Sequence, residues 1–348
     1  MMRPSSSRPL RHALAQPSAL RPLPRTSRSL HSTCYRLNGH RASLEGSSTV
    51  NADEIAHFSR LSSLWWDETG EFGMLHKMNP VRMQFIKEKL LEIRREETDD
   101  DVEEGTVLRG LDVLDVGCGG GLLSESLARM GATTLGIDAS ESNIAIASLH
   151  ASADPSLDIT SAALSASSSH LYPGVKGKGR LVYENTSVEN LLARRGPASF
   201  DVVCFMEVLE HVDNPRAFLD SCAQLVKPGG HLFLSTIARN PLSYFLTIFT
   251  AEKLLRFVEP GTHTYSKYVN PSEIISYFQT YRSPLSTAVR SAGTPWIGRV
   301  ANGVPARVEA ETRGIIYVPW NGEWRLSPRG EGWSEWCNYL FWVRRPKE

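Results

Sequence analysis

The alternation between Leu111 and Ile237 constrains this chain more than any other feature. Apolar runs of strand length (LDVLDV, TTLGID, RLVYENT, SFDVVCFMEV and HLFLSTI) are separated by segments such as LLSESLARM, ESNIAIASLHA and NPRAFLDSCAQLV, which read as helices. Units of this kind close as right-handed parallel crossovers, so the expected fold is α/β with a doubly wound, mostly parallel sheet. Ahead of the alternation, helices are expected over 53–66 and from Asn79-Pro80 to about Arg95, as an N-terminal cap. After it, GIIYVPW and NYLFWV read as a C-terminal strand pair joined by a Gly/Pro/Trp-rich loop. Residues 152–179 are Ser/Ala-rich, then Gly/Lys-rich, and read as a disordered insertion. Residues 282–312 have no clear period and read as irregular.

Between the first strand and the first crossover helix lies Asp115-x-Gly117-x-Gly119-x-Gly121. Glycines there let the backbone turn sharply and let a ligand approach with no Cβ in the way. A dinucleotide site would carry G-x-G-x-x-G, with pyrophosphate over the helix N-terminus. This loop is denser in glycine, and an acid precedes it. Asp115 would repel a phosphate but suits the amino group of a methionine moiety. Asp138 ends the second strand, about twenty residues further on, where a carboxylate accepts hydrogen bonds from both ribose hydroxyls of an adenosine. Ser187-Val188-Glu189, at the next strand end, is placed to edge an adenine. With Lys227-Pro228-Gly229-Gly230 before the fifth strand, the set points to a class I methyltransferase that uses S-adenosylmethionine.

Charge narrows the function classes. Lys plus Arg and Asp plus Glu each number 38, so there is no electrostatic case for a nucleic-acid binder. The charge is locally uneven: eight arginines, no lysine and no acid precede Glu45. That Ser-rich, acid-poor composition reads as a mitochondrial transit peptide over 1–42, leaving 43–348 as a single domain. Cys34, Cys118, Cys204, Cys222 and Cys337 form no CxxC pair and read as free thiols. No apolar stretch reaches the length that spans a bilayer.

Several further segments carry a resemblance to a known family. They are Trp65-Trp66-Asp67, Gly70-Glu71-Phe72, Leu75-His76, Asn79-Pro80-Val81-Arg82, LDVLDVGCGGGLLSESLARMGA, Met206-Glu207-Val208-Leu209-Glu210-His211-Val212, AQLVKPGG, LFLSTIARNPLS and Gly261-Thr262-His263. In these the chain resembles the mitochondrial and bacterial ubiquinone-biosynthesis O-methyltransferases over about residues 51–282, less the insertion. The resemblance implies that Arg82, Gly117, Asp138 and Met206 contact the cofactor, beside Gly119 and Asp115 of the loop. It implies a divalent metal, usually Mg²⁺, at Glu207, Glu210 and His211. It implies a polyprenylated catechol or quinol substrate, and peripheral association with the matrix side of the mitochondrial inner membrane. It also implies a place in a multi-subunit ubiquinone-biosynthesis complex. The chain departs from the family at the 152–179 insertion, in the length of 282–312, and at Tyr317-Val318-Pro319, where Tyr-Asn-Pro is usual.

The residue types suit such a reaction. A catechol hydroxyl has a phenol-like pKa of about 10, so little of it is ionised near neutral pH. A bound cation or a base must make it nucleophilic. If the chain turns helical after the fourth strand, Glu207, Glu210 and His211 share one side. His211 then reads either as a ligand or as the general base, with Glu207 beside it. On spacing alone the same three residues also read as the solvated start of a surface helix. His76 and His263 read either as lining the substrate site or as loop residues. In 241–258, Leu242, Phe245, Leu246 and Phe249 fall at helical spacing and Lys253 and Arg256 flank them. Such a face packs over the active site or lies in a membrane interface. The tryptophans from Trp320 to Trp342 read as interfacial anchors or as pocket cover. Two other functions stay open: methylation of a soluble phenol, and a non-catalytic scaffold subunit.

Overall fold

The structure is a computed structural model, and it describes residues 48–98, 103–159, 179–254, 264–284 and 293–347. The expected transit peptide, most of the insertion and His263 lie outside the described residues.

Helix α1 (Ala52–Arg60) is capped by Asn51, whose side chain accepts from the Glu54 N–H, and none of its residues is buried. It is shorter than the expected helix, because the chain tightens into a 3-10 turn over Ser62–Leu64. Helix α2 (Gly73–Glu97) begins a turn and a half before the expected start and carries Pro80 in its interior. Proline normally marks a helix start because it cannot donate to the preceding turn. Here the first turns are held from outside, through the Asn79 amide on the Leu122 carbonyl and the Ser126 hydroxyl.

The expected strands follow in order, with two elements that were not expected: a short strand at Asp158–Ile159, inside the segment read as a disordered insertion, and a helix at Val188–Arg195. β1 (Asp112–Val116) leads to α3 (Leu122–Arg129), β2 (Thr133–Asp138) to α4 (Glu141–Ser152), and a two-residue β3 (Asp158–Ile159) precedes β4 (Arg180–Asn185). Then come α5 (Val188–Arg195), β5 (Phe200–Met206), α6 (Pro215–Leu225) and β6 (Val226–Ile237). Ser140, Ser187 and Asn214 each accept a backbone N–H in the first turn of α4, α5 and α6, which fixes where those helices begin.

Past β6, a short α turn (Pro241–Ser243) continues as a π-helix (Tyr244–Leu254), and α7 (Pro271–Thr280) follows. The segment expected to be irregular holds a small hairpin, β7 (Val300–Ala301) with β8 (Val304–Pro305). It also buries Trp296, whose indole N–H donates to Ser283. β9 (Ala310–Val318) and β11 (Asn338–Arg344) form the expected antiparallel pair, and an additional strand, β10 (Glu323–Leu326), lies within the expected loop. The nine-stranded sheet runs β10-β9-β11-β6-β5-β1-β2-β4-β3, parallel from β6 to β3 and antiparallel beyond β6.

Side chains alternate across the sheet. Val113, Val202, Cys204 and Phe233 pack against α2 and α3, while Leu114, Val203, Phe205 and Leu232 pack against α5, α6 and α7. Burial on both faces explains why the strands read as continuous apolar runs. The carboxyl ends of β1, β2, β4 and β5 open on one cavity, where ligands of open α/β sheets sit.

Candidate active site

The cavity measures about 820 Å³ and is mostly apolar, with a polar end at the glycine loop. Two tryptophans hold that loop. Trp65 donates its indole N–H to Asn143, stacks on Phe72 with ring centroids 3.9 Å apart, and lies flat against Gly119 and Gly120. A Cβ on either glycine would overlap the Trp65 side chain, and Gly119 has φ +53. Trp66 donates to the Gly120 carbonyl at 3.0 Å and stacks on His150. His76 hydrogen-bonds the Trp65 carbonyl at 2.7 Å. It is absent from the cavity wall and lies in the first turn of α2, not in a loop, where it ties that helix to the chain before it. The Trp-Trp-Asp, Leu-His and Asn-Pro blocks are therefore one device: a cap that fixes the turn after β1.

The predicted cofactor residues converge at this end. Asp115 is buried on β1, accepts from Ser124 at 2.6 Å, and is pushed up to about 6 by burial. The carboxylate of Asp138 accepts from the Gly119 and Ser140 N–H groups at 3.0 and 2.8 Å, and burial raises its pKa too. Gly117, Gly119, Met206, Ser187, Val188 and Glu189 line the same space. Thr49 donates to Glu189, whose second carboxyl oxygen is buried without a hydrogen bond.

Arg82 is the most informative of them. It is only 4% exposed, and its Nε and Nη2 have no hydrogen-bond partner. Its nearest acid is Glu207, at 3.7 Å. Burial works against its charge, and Glu207, Asp115 and Glu210 work for it. A buried guanidinium edge with no hydrogen bond of its own, beside a large cavity, is shaped for an anion.

The acids after β5 do not form the helix expected. Glu207 takes φ +55, a conformation uncommon for a residue with a side chain, and only a 3-10 turn follows (Leu209–His211). Its N–H is held by the Ser235 carbonyl and hydroxyl at 3.1 and 3.0 Å. The imidazole consequently parts from the two acids, which stay close enough to interact. Glu207 faces Arg82, Glu210 accepts from Thr236 at 2.8 Å, and His211 turns its Nδ1 to Glu54 at 3.0 Å. Glu210 is pushed up to about 8, first by burial and then by the charge of Glu207. Glu54 is drawn down to about 2, since His211 and Lys267 outweigh its partial burial.

These contacts bear on the metal. Among the described residues no three His, Cys, Asp or Glu side chains converge closely enough to hold a metal ion. The imidazole is committed to Glu54. The acid pair does suit a hard cation: the buried Glu210 and the partly buried Glu207 repel one another, and Oε1 of Glu207 has no hydrogen bond.

At its other end the cavity is lined by Leu242, Leu246, Tyr317, Trp333 and Trp336. Leu242, Phe245, Leu246 and Phe249 are 40–52% exposed, and Trp320, Trp333 and Trp336 more so. The Asn240 amide donates to the Trp336 carbonyl, joining the two apolar rims. Trp342, by contrast, is fully buried in the sheet core. Among the described residues no helix is long and apolar enough to cross a membrane.

The methyltransferase-domain family matches residues 82–288. The mitochondrial ubiquinone biosynthesis O-methyltransferase of Schizosaccharomyces pombe is 36% identical over 299 residues, covering 86% of this chain and 88% of that one. The ubiquinone biosynthesis O-methyltransferase of Sinorhizobium medicae is 37% identical over 298 residues, covering 86% and 97%.

The chain belongs to the ubiquinone biosynthesis O-methyltransferase family.

The mitochondrial relative from Rattus norvegicus, 35% identical over 304 residues, covers 86% of this chain and 74% of its own. The protein is thus an S-adenosylmethionine-dependent methyltransferase with the fold expected, and it is mitochondrial. Sequence reading missed Glu54, Asn143 and Thr236, which meet His211, Trp65 and Glu210 across the fold, and Ser124, which meets Asp115 from the next helix. Nothing in the local pattern singles them out.

Proposed function

We propose that this enzyme methylates a catechol or quinol hydroxyl of polyprenylated ubiquinone precursors, 3,4-dihydroxy-5-polyprenylbenzoate and demethylubiquinol. The single observation that carries the reading is the continuity of one cavity, from the buried acids and Arg82 to a rim of exposed apolar side chains. A soluble phenol would need no such rim. The cofactor takes the polar end, with its carboxylate on Arg82, its amino group toward Asp115 and its ribose on Asp138, while Gly117, Gly119 and Met206 form the walls. The acceptor ring lies toward Glu207 and His211, and the tail runs out past Leu242 and Leu246.

In the reaction the acceptor O–H proton passes to Nε2 of His211. The oxygen lone pair forms the O–CH₃ bond in line with the breaking C–S bond, whose electron pair remains on sulfur as S-adenosylhomocysteine. Glu207 and Glu210 would hold a divalent cation, Mg²⁺ by preference for oxygen donors. Such a cation lowers the pKa of a bound hydroxyl. His211 is assigned to the proton, because imidazole is a poor Mg²⁺ ligand and its Nδ1 is engaged.

The test is an assay on a short-chain prenyl dihydroxybenzoate and a demethyl-quinol, with and without EDTA. Methylation of both, lost with chelator and restored by Mg²⁺, is expected. No product on either rejects the substrate, and indifference to chelator and Mg²⁺ rejects the metal.

The apolar rim also supports peripheral association with the matrix side of the inner membrane, where the substrate and other enzymes of a ubiquinone-biosynthesis complex would be met. Cosedimentation with anionic liposomes is expected to fall severalfold in Phe245→Asp/Phe249→Asp. Unchanged binding would remove the membrane role from this face.

A further inference from the structure

The cap contributes more than a wall. Glu54, in the first turn of α1, places Oε2 3.0 Å from Nδ1 of His211 and Oε1 3.1 Å from Lys267. The Phe58 ring, one turn further along α1, stands perpendicular to the imidazole with centroids 5.1 Å apart. Two α1 side chains thus fix one ring that lines the cavity. A carboxylate has only acceptors to offer, so it selects the tautomer with hydrogen on Nδ1. That leaves the lone pair on Nε2, which has no hydrogen bond among the described residues. This is the relation a base needs: one nitrogen anchored to an acid, the other presented to the proton.

Resting on the assignment of His211 as the base, we infer that Glu54 is a positioning residue for methyl transfer: supplied by the cap helix, it orients the His211 ring and fixes its tautomer.

The bland role for the same contact is to pin α1 to the sheet. The two roles differ in what they move. Pinning alters cofactor affinity and stability, whereas orienting alters kcat through His211 alone. Glu54→Gln keeps the size of the side chain but lets its amide turn either a donor or an acceptor to Nδ1. Its kcat is expected to fall roughly 10- to 100-fold, the range typical when the group orienting a functional histidine is lost. KM and the S-adenosylhomocysteine dissociation constant, from calorimetry, are expected to stay within about threefold. In a His211→Ala background, adding Glu54→Gln should cost nothing further. An equal loss in that background, or a loss of cofactor affinity matching the loss of kcat, overturns the inference.

Nitrogen-15 NMR of the imidazole provides a readout independent of turnover. The wild-type ring should show hydrogen on Nδ1, and Glu54→Ala should show a mixture of tautomers. A wild-type ring already mixed, or carrying its hydrogen on Nε2, also overturns the inference. If wild-type enzyme methylates neither probe, the functional reading fails on its own and the NMR result still decides the contact.

Discussion

Arg82→Met is expected to weaken S-adenosylhomocysteine binding by about two orders of magnitude. The side chain is buried, and two of its nitrogens have no hydrogen-bond partner in the protein. Desolvation has therefore already been met by folding, and the three acids around the guanidinium offset it without saturating its donors. A ligand carboxylate gains those donors at little further cost. Breaking a buried charge pair by removing one partner costs about 2–5 kcal/mol, and about 1.4 kcal/mol corresponds to a tenfold change in affinity. Arg82→Lys should recover only part of the loss, since an ammonium lacks the planar fork that meets both carboxylate oxygens. Calorimetric titration decides it. Affinity within threefold of wild type in Arg82→Met would reduce the arginine to a counter-charge for its neighbouring acids.

The second large effect concerns pH. Glu210 is held at about 8 in the folded protein against an ordinary value of 4.5, and Asp115 at about 6 against 3.8. An acid raised in this way keeps its proton in the folded chain at a pH where the unfolded chain has released it. Stability is then highest below the unfolded value and falls as pH rises, at up to about 1.4 kcal/mol per pH unit for one group, until the folded pKa is passed. For Asp115 that window closes near 6, and for Glu210 near 8. Below about pH 6.5 the buried His231, whose folded value burial lowers to about 3, works the other way, so the chelator-treated protein should lose stability chiefly between about pH 6.5 and 8, by about 2 kcal/mol. Glu210→Gln should flatten the upper part of that slope, because an amide does not titrate. Denaturant unfolding across this range measures both, and parallel profiles for wild type and Glu210→Gln would refute the claim.

The sheet was legible because its strands are buried on both faces and so read as plain apolar runs bounded by helix caps. Asp115 and Asp138 were legible for a different reason: the ends of strands are where open sheets place their ligands, whatever surrounds them. Elsewhere local signals misled. Pro80 marks a helix start by propensity, but Asn79 ties the preceding turn to α3 and the helix runs through it. The spacing of Glu207, Glu210 and His211 suggested one helical face, but the left-handed turn at Glu207 keeps the two acids together near Arg82 and leaves the imidazole to Glu54. β10 went unseen because four residues next to a turn leave too short a pattern. Glu54 could not be found at all, because an acid in the first turn of an exposed helix is ordinary until the fold brings a histidine to it.

Helix α1 has nine residues and none is buried, yet it walls the cavity through Glu54, Ile55, His57 and Phe58. A helix that short does not persist in water by itself. It is held by a few polar ties, among them Asn51 to Asp213 at 2.6 Å, the Thr49 carbonyl to the Asp213 N–H, and Glu54 to His211 and Lys267. To whatever extent α1 leaves its place, the finished site belongs to only a fraction of the molecules, and each apparent dissociation constant is the intrinsic one divided by that fraction. A change at Asp213, which does not line the cavity, would then weaken cofactor and acceptor by the same factor. Each ligand, by favouring the closed population, would improve the apparent binding of the other.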